Sequence, residues 1–160
     1  MAEVMRQESF SAELLEILEE VFDTHHGVLL DKGTSLFATL DRVSADAAST
    51  PIAAGTASIA THVEHVIYYL EVLGGDIARE DIGTVDWSEI WNRVSTVTTE
   101  EWNELRARLR ARYAWLTEAL DAVEDWEQNE AVGTAIAILA HTACHLGVIR
   151  QALAAAQASE

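Results

Sequence analysis

Residues 131–156 read AVGTAIAILAHTACHLGVIRQALAAA. Alanine, the best helix former, recurs throughout, and the single proline of the chain lies far away at position 51. The stretch predicts one long closing helix. From Ala131 to Leu139 it is apolar nearly all round, which predicts deep burial. A helix of that kind must be surrounded by other helices that turn an apolar face towards it.

Three such helices precede it. Thr98 opens a capping box with Glu101 three residues later. The helix behind it is expected to run to about Val123, through Trp102, Leu105, Leu109, Tyr113, Leu116 and Leu120. Arg106, Arg108, Arg110 and Arg112 decorate it as a solvated face, with Glu104 and Glu118 at helical spacing. Upstream, Ala57–Leu73 carries Ile59, Val63, Val66, Ile67, Leu70 and Leu73 at helical intervals, and Gly74 and Gly75 are expected to stop it. The first helix spans about Ser11–Asp23, with Leu14, Leu15, Leu18, Val21 and Phe22 on one side, until His25, His26 and Gly27 break it. Gly33–Val43 adds a short helical piece. The stretch Asp76–Val97, with Gly83, Trp87 and Trp91, predicts a long connection holding a short turn near Asp86–Trp91. Glu124–Glu130 reads as an acidic turn. The sum is an all-α chain: a four-helix bundle with a long irregular connection between main helices two and three, in one domain spanning 1–160.

Composition narrows the function. The 160 residues are 49% hydrophobic, enough for one real core. Against that, 27 acidic and 10 basic residues give a net charge of -17. Such a body repels phosphate backbones and anionic lipid, so neither nucleic acid nor a membrane surface is the expected partner. No run approaches ~18 consecutive apolar residues, so no membrane span is expected. The lone Cys144 has no partner for an internal disulfide, and the first ten residues lack a signal-peptide pattern. A cytoplasmic location is the expectation.

Chemistry points to histidine. Four of the six histidines sit in the two most apolar helices, as H62-V-E-H65 and H141-T-A-C-H145. At about 100° per residue, His141 and His145 differ by roughly 40° around the axis and ~6 Å along it. Two imidazoles at that spacing can converge on one ion. Several imidazoles buried together without partners are costly, which favours a metal over plain packing. Nitrogen ligands suit zinc, nickel or iron(II). Cys144 falls about 100° from His145 and reads as a small buried core residue. Tyr68, Tyr69 and Trp115 are candidates for a cavity wall. Arg150 either binds a substrate carboxylate or pairs with an acidic side chain. His25 and His26, at a helix end, are not expected to reach the ion.

These residues resemble the DinB superfamily of four-helix-bundle metal-binding proteins. The family shares a helix-two histidine about seven residues after a Ser or Thr, here Ser58 and His65. It also shares a helix-four HxxxH trailed by a glycine and a basic residue, here His141, His145, Gly147 and Arg150. The resemblance implies a divalent metal ion held by His65, His141 and His145. His62 competes with His65 for the helix-two position, as ligand, extra ligand or outer neighbour. Three imidazoles would leave positions open for water or a small-molecule substrate. Relatives of this kind include thiol-dependent transferases and isomerases as well as hydrolases, and dimers are common among them. A homodimeric metalloenzyme acting on water or a low-molecular-weight thiol is the expectation. A non-catalytic metal- or small-ligand-binding bundle is the alternative.

Overall fold

The computed structural model describes residues 7–51, 53, 55–126 and 131–157. Among these residues the chain is all-helical, with no strand. The elements are α1 (Gln7–Phe22), α2 (Leu36–Leu40), α3 (Ala45–Ser49), α4 (Ile59–Ala78), a 3-10 turn (Glu89–Asn92), α5 (Thr99–Asp121) and α6 (Ala131–Gln157). The acidic turn expected at 124–130 falls partly on 127–130, outside the described residues.

Local signals explain the starts. Ser35, Ser44 and Ser58 each accept a hydrogen bond from the amide three residues on, capping α2, α3 and α4. Thr98 and Glu101 form the reciprocal capping box of α5. Helix α3 had no counterpart in the sequence reading, because five residues are too short for periodicity to register.

One helix end differs from expectation. Helix α4 continues through Gly74 and Gly75 to Ala78 and closes on Arg79, in the left-handed region at φ 59°. Gly74 serves close approach instead of termination: a Cβ there would lie 2.5 Å from Cζ3 of Trp115. A missing side chain lets the α5 indole press against the α4 backbone.

Named contacts fix the helix directions. Arg108 of α5 pairs with Glu64 of α4 at 2.9 Å, and Arg112 with Glu71 at 2.9 Å. Both series rise together, so α4 and α5 run parallel. Helix α6 meets α4 through His145 beside His62 and His141 beside His65, and is therefore antiparallel to it. Phe10 touches Trp126, and Phe22 stacks on Tyr113 at 4.5 Å, so α1 is antiparallel to α5. Parallel packing of α4 and α5 forces residues 79–98 back along the length of α4.

The arginine face of α5 is thus not merely solvated. Arg106 and Arg110 both reach Asp41, and Arg108 and Arg112 reach α4. These are ties between elements, not the i,i+4 pairs within α5 that the spacing suggested.

A single apolar cluster runs through α1, α2, α4, α5 and α6. Helix α6 buries only one stripe into it: Ala131, Ala135, Ile138, Thr142, Leu146, Ile149 and Ala152. This corrects the expectation of deep burial. Ile136 is 50% exposed and Val148 39% exposed. Cys144 lies on the same outer side and is exposed, not a core residue. Among the described residues the helix is flanked by partners on one side, and its apolar back faces outwards. By length and composition alone, Ala131–Ala155 is also long and apolar enough to cross a membrane. The consecutive-run count missed this because Thr, Gly and His interrupt the apolar residues without adding charge.

The connection after α1 is organised by a buried carboxylate. Glu20 is fully inaccessible, and it accepts hydrogen bonds from the backbone N–H groups of Gly27, Val28, Leu29 and Leu30 at 2.8–3.2 Å. Burial alone would raise its carboxyl, but the four amides outweigh it and hold it at about 2. With the amides turned inwards, the side chains of Val28 and Leu29 stand out in solvent.

Candidate metal centre

Four imidazoles meet between α4 and α6. His65 Nε2 lies 3.0 Å from His141 Nε2, and His62 Nδ1 lies 2.9 Å from His145 Nδ1. The rings of His141 and His145 have centroids 4.4 Å apart, as the i,i+4 spacing predicted. Among the described residues, His65, His141 and His145 form the one set of three or more whose ligand atoms all lie within 4.8 Å of one another. His62 is not in that set.

The register arises from ordinary helix geometry. Ser58 caps α4, so His62 and His65 fall one turn and nearly two turns into the helix, on the side facing α6. Ser58 Oγ also donates to the carbonyl of Ser95 at 2.8 Å, and Thr61 Oγ1 donates to that of Val94 at 2.6 Å. These bonds tie the returning connection to the start of α4, just above the histidines. The serine of the sequence motif is therefore a helix cap and a loop anchor.

Aromatic rings enclose the cluster. Trp91, on the 3-10 turn, stacks on His65 at 4.2 Å and meets His62 edge-on at 5.7 Å. Tyr69 stacks on His141 at 3.5 Å with the planes 6° apart. Trp87 packs against Tyr68 and Tyr69, both at 5.5 Å. The Tyr68 hydroxyl accepts from the Asp86 amide at 3.2 Å, pinning the start of this segment. Trp91 is 41% exposed, so its outer edge meets solvent while its face covers His65.

Of the three expected wall residues, Tyr69 is at the cluster and Tyr68 stands one ring further out. Trp115 lies elsewhere, against Gly74. Arg150 is on an exposed part of α6. His25 is 3.3 Å from Glu20 and His26 is 2.6 Å from Glu19, so neither belongs to the cluster. Sequence reasoning missed Trp91. Its signal was the pair Trp87 and Trp91, spaced i,i+4 in a connection without helical periodicity.

The donor set suits a cation. Burial lowers all four imidazoles, and neighbouring histidines add to it for His65, His141 and His145. His141 falls to about 4 and His145 to about 3. At neutral pH the rings are uncharged, and each offers one lone pair. Ligand nitrogens at about 2.0–2.1 Å around a tetrahedral zinc ion stand roughly 3.3 Å apart. The 3.0 Å pair is already close to that value. The Nδ1 atoms of His65 and His141 are buried with no hydrogen-bond partner. Left unshared, groups of this kind cost about 1–3 kcal/mol each. Among the described residues no carboxylate joins the set, and Glu64, its sequence neighbour, is held by Arg108.

No protein-family model, curated protein or solved structure matches this chain.

Proposed function

We propose that the protein is a metal-dependent enzyme of the DinB-like type. In this reading the four long helices α1, α4, α5 and α6 form a four-helix bundle, and residues 79–98 are its long connection between main helices two and three. His65, His141 and His145 hold one divalent ion, zinc, nickel or iron(II). The observation that carries this is the convergence of three uncharged imidazoles from two helices, with ligand atoms within 4.8 Å of one another.

Bound there, the ion would supply Lewis acidity, lowering the proton affinity of water or of a low-molecular-weight thiol. The remaining work falls to the protein. His65, His141 and His145 are neutral ligands, so they leave the positive charge uncompensated and the centre selective for an anionic partner. Trp91 and Tyr69 exclude bulk water from two sides, which strengthens electrostatic interactions within. A small-molecule substrate, a cytoplasmic setting and a homodimer complete the proposal. The outward apolar residues of α6, Ile136 and Val148, would supply surface for a second copy.

Metal analysis tests the site. Purified protein should carry one divalent ion per chain, and a His141→Ala/His145→Ala double variant should carry none. Equal content in both would sink the assignment. A second reading, a non-catalytic metal-binding bundle, draws on Trp91 lying flat on His65. Exchange of an added anionic ligand such as azide, followed by visible spectra of the cobalt form, separates the two. A responsive spectrum favours catalysis and an inert one favours the closed centre.

A further inference from the structure

His62 is the histidine that the three-ligand set leaves over. We propose that it is a positioning residue: it accepts a hydrogen bond from Nδ1–H of His145 and so aims the Nε2 lone pair of His145 at the ion. The inference rests on the metal-site reading above.

The argument runs through the nitrogens. A ligand imidazole is neutral and has one N–H and one lone pair. His65 and His141 face each other through Nε2, so their inner atoms are Nε2 and their outer atoms Nδ1. Both outer atoms are buried without a partner. His145 differs, because its Nδ1 lies 2.9 Å from Nδ1 of His62. A hydrogen bond between two neutral rings at that distance uses one proton. If His145 contributes it, its Nε2 keeps a bare lone pair for the ion. If His62 contributes it, Nε2 of His145 carries hydrogen and is useless as a ligand. With Nε2 of His145 as the ligand atom, the pairing has one metal-competent arrangement, with His62 as acceptor and its own proton on Nε2. Metal-bound histidines nearly always donate their second N–H to an acceptor, which fixes the tautomer and ring orientation. Here His145 is the only one of the three ligands with a hydrogen-bonded outer nitrogen.

His62 is itself held in place. Its ring lies edge-on to Trp91 at 5.7 Å and tilts 57° from His145 with centroids 5.1 Å apart. It approaches His145 but does not come within 4.8 Å of all three histidines of the mutually close set.

Zinc affinity by competition with a chromophoric chelator tests this, together with X-ray absorption to count imidazoles. The wild type should bind one zinc through three imidazoles. His62→Leu, which has no acceptor, should bind it about 10–100-fold more weakly with the same three-imidazole count. His62→Gln, whose amide oxygen can accept, should recover part of the loss. Circular dichroism confirms that each variant is folded. Four imidazoles in the wild type, falling to three in His62→Leu, would overturn the assignment by making His62 a ligand. Equal affinity of wild type and His62→Leu would overturn it while leaving the metal site standing. A wild type that binds neither zinc, nickel nor iron(II) would overturn both readings.

Discussion

The same substitution, glycine to alanine, should have opposite signs in two helices of this protein. Within a helix the exchange is worth roughly 0.5–1 kcal/mol in favour of alanine, because glycine loses more backbone freedom on folding. At Gly147 of α6 nothing lies within 4 Å of the added Cβ, so the full gain should appear. At Gly74 of α4 the new atom would stand 2.5 Å and 2.9 Å from the Trp115 ring and 3.3 Å from Leu116 Cδ1. Real Cβ contacts do not approach that closely, so the indole must tilt away from its seat. Overpacking of this kind costs about 1–3 kcal/mol, which exceeds the propensity gain. Gly74→Ala should therefore lose about 1 kcal/mol net. For a chain of this length each kcal/mol moves Tm by roughly 2–4 °C. Thermal unfolding followed by circular dichroism should show Tm raised by a few degrees in Gly147→Ala and lowered by a few in Gly74→Ala. A rise in both would refute the claim that Gly74 exists to seat Trp115.

Three further outcomes concern the site and its support. The four clustered histidines are lowered by burial, so the unfolded chain takes up protons below about 6.5 that the folded one refuses. Stability in chelator should be full above that pH and decline as pH falls from 6.5 towards 4. A His141→Leu/His145→Leu variant should decline less steeply, and parallel Tm curves would count against it. Trp91→Ala removes the ring stacked on His65, so zinc should pass to a competing chelator faster than from the wild type; an unchanged release rate would mean that Trp91 does not control access. Glu20→Gln replaces the carboxylate that organises residues 27–30, and hydrogen exchange at those amides should rise while α5 stays protected. Unchanged exchange there would show that the carboxylate is dispensable.

The sequence was most informative where chemistry repeats at helical spacing. The His141–His145 pair needed only 3.6-residue geometry, and the Thr98–Glu101 box marked a helix start because both partners lie within one turn. Properties set by remote neighbours were harder to read. Gly74 looked like a stop because its reason, Trp115, sits 41 positions away on another helix. The exposed back of α6 was illegible for the same cause: an apolar stretch shows that burial is possible but not which flanks are covered. His62 and His65 stayed unresolved because both face α6. Their roles separate only when the nitrogens of the other helix are in view. The tryptophan cover fell in a stretch with no periodicity, so position along the chain gave no hint of where it returned.

That return has a consequence for how such a centre can change over time. Because α4 and α5 point the same way, the chain must travel back past the histidines before α5 begins. An antiparallel hairpin would have turned at the far end and left the cluster bare. The clustered histidines thus lie on two long helices, while Trp91, one of the two rings that cover them, lies on a surface strap. Lengthening or shortening the strap between its anchors at Tyr68 and Ser58 would alter the cover over the histidines without moving the helices that carry them.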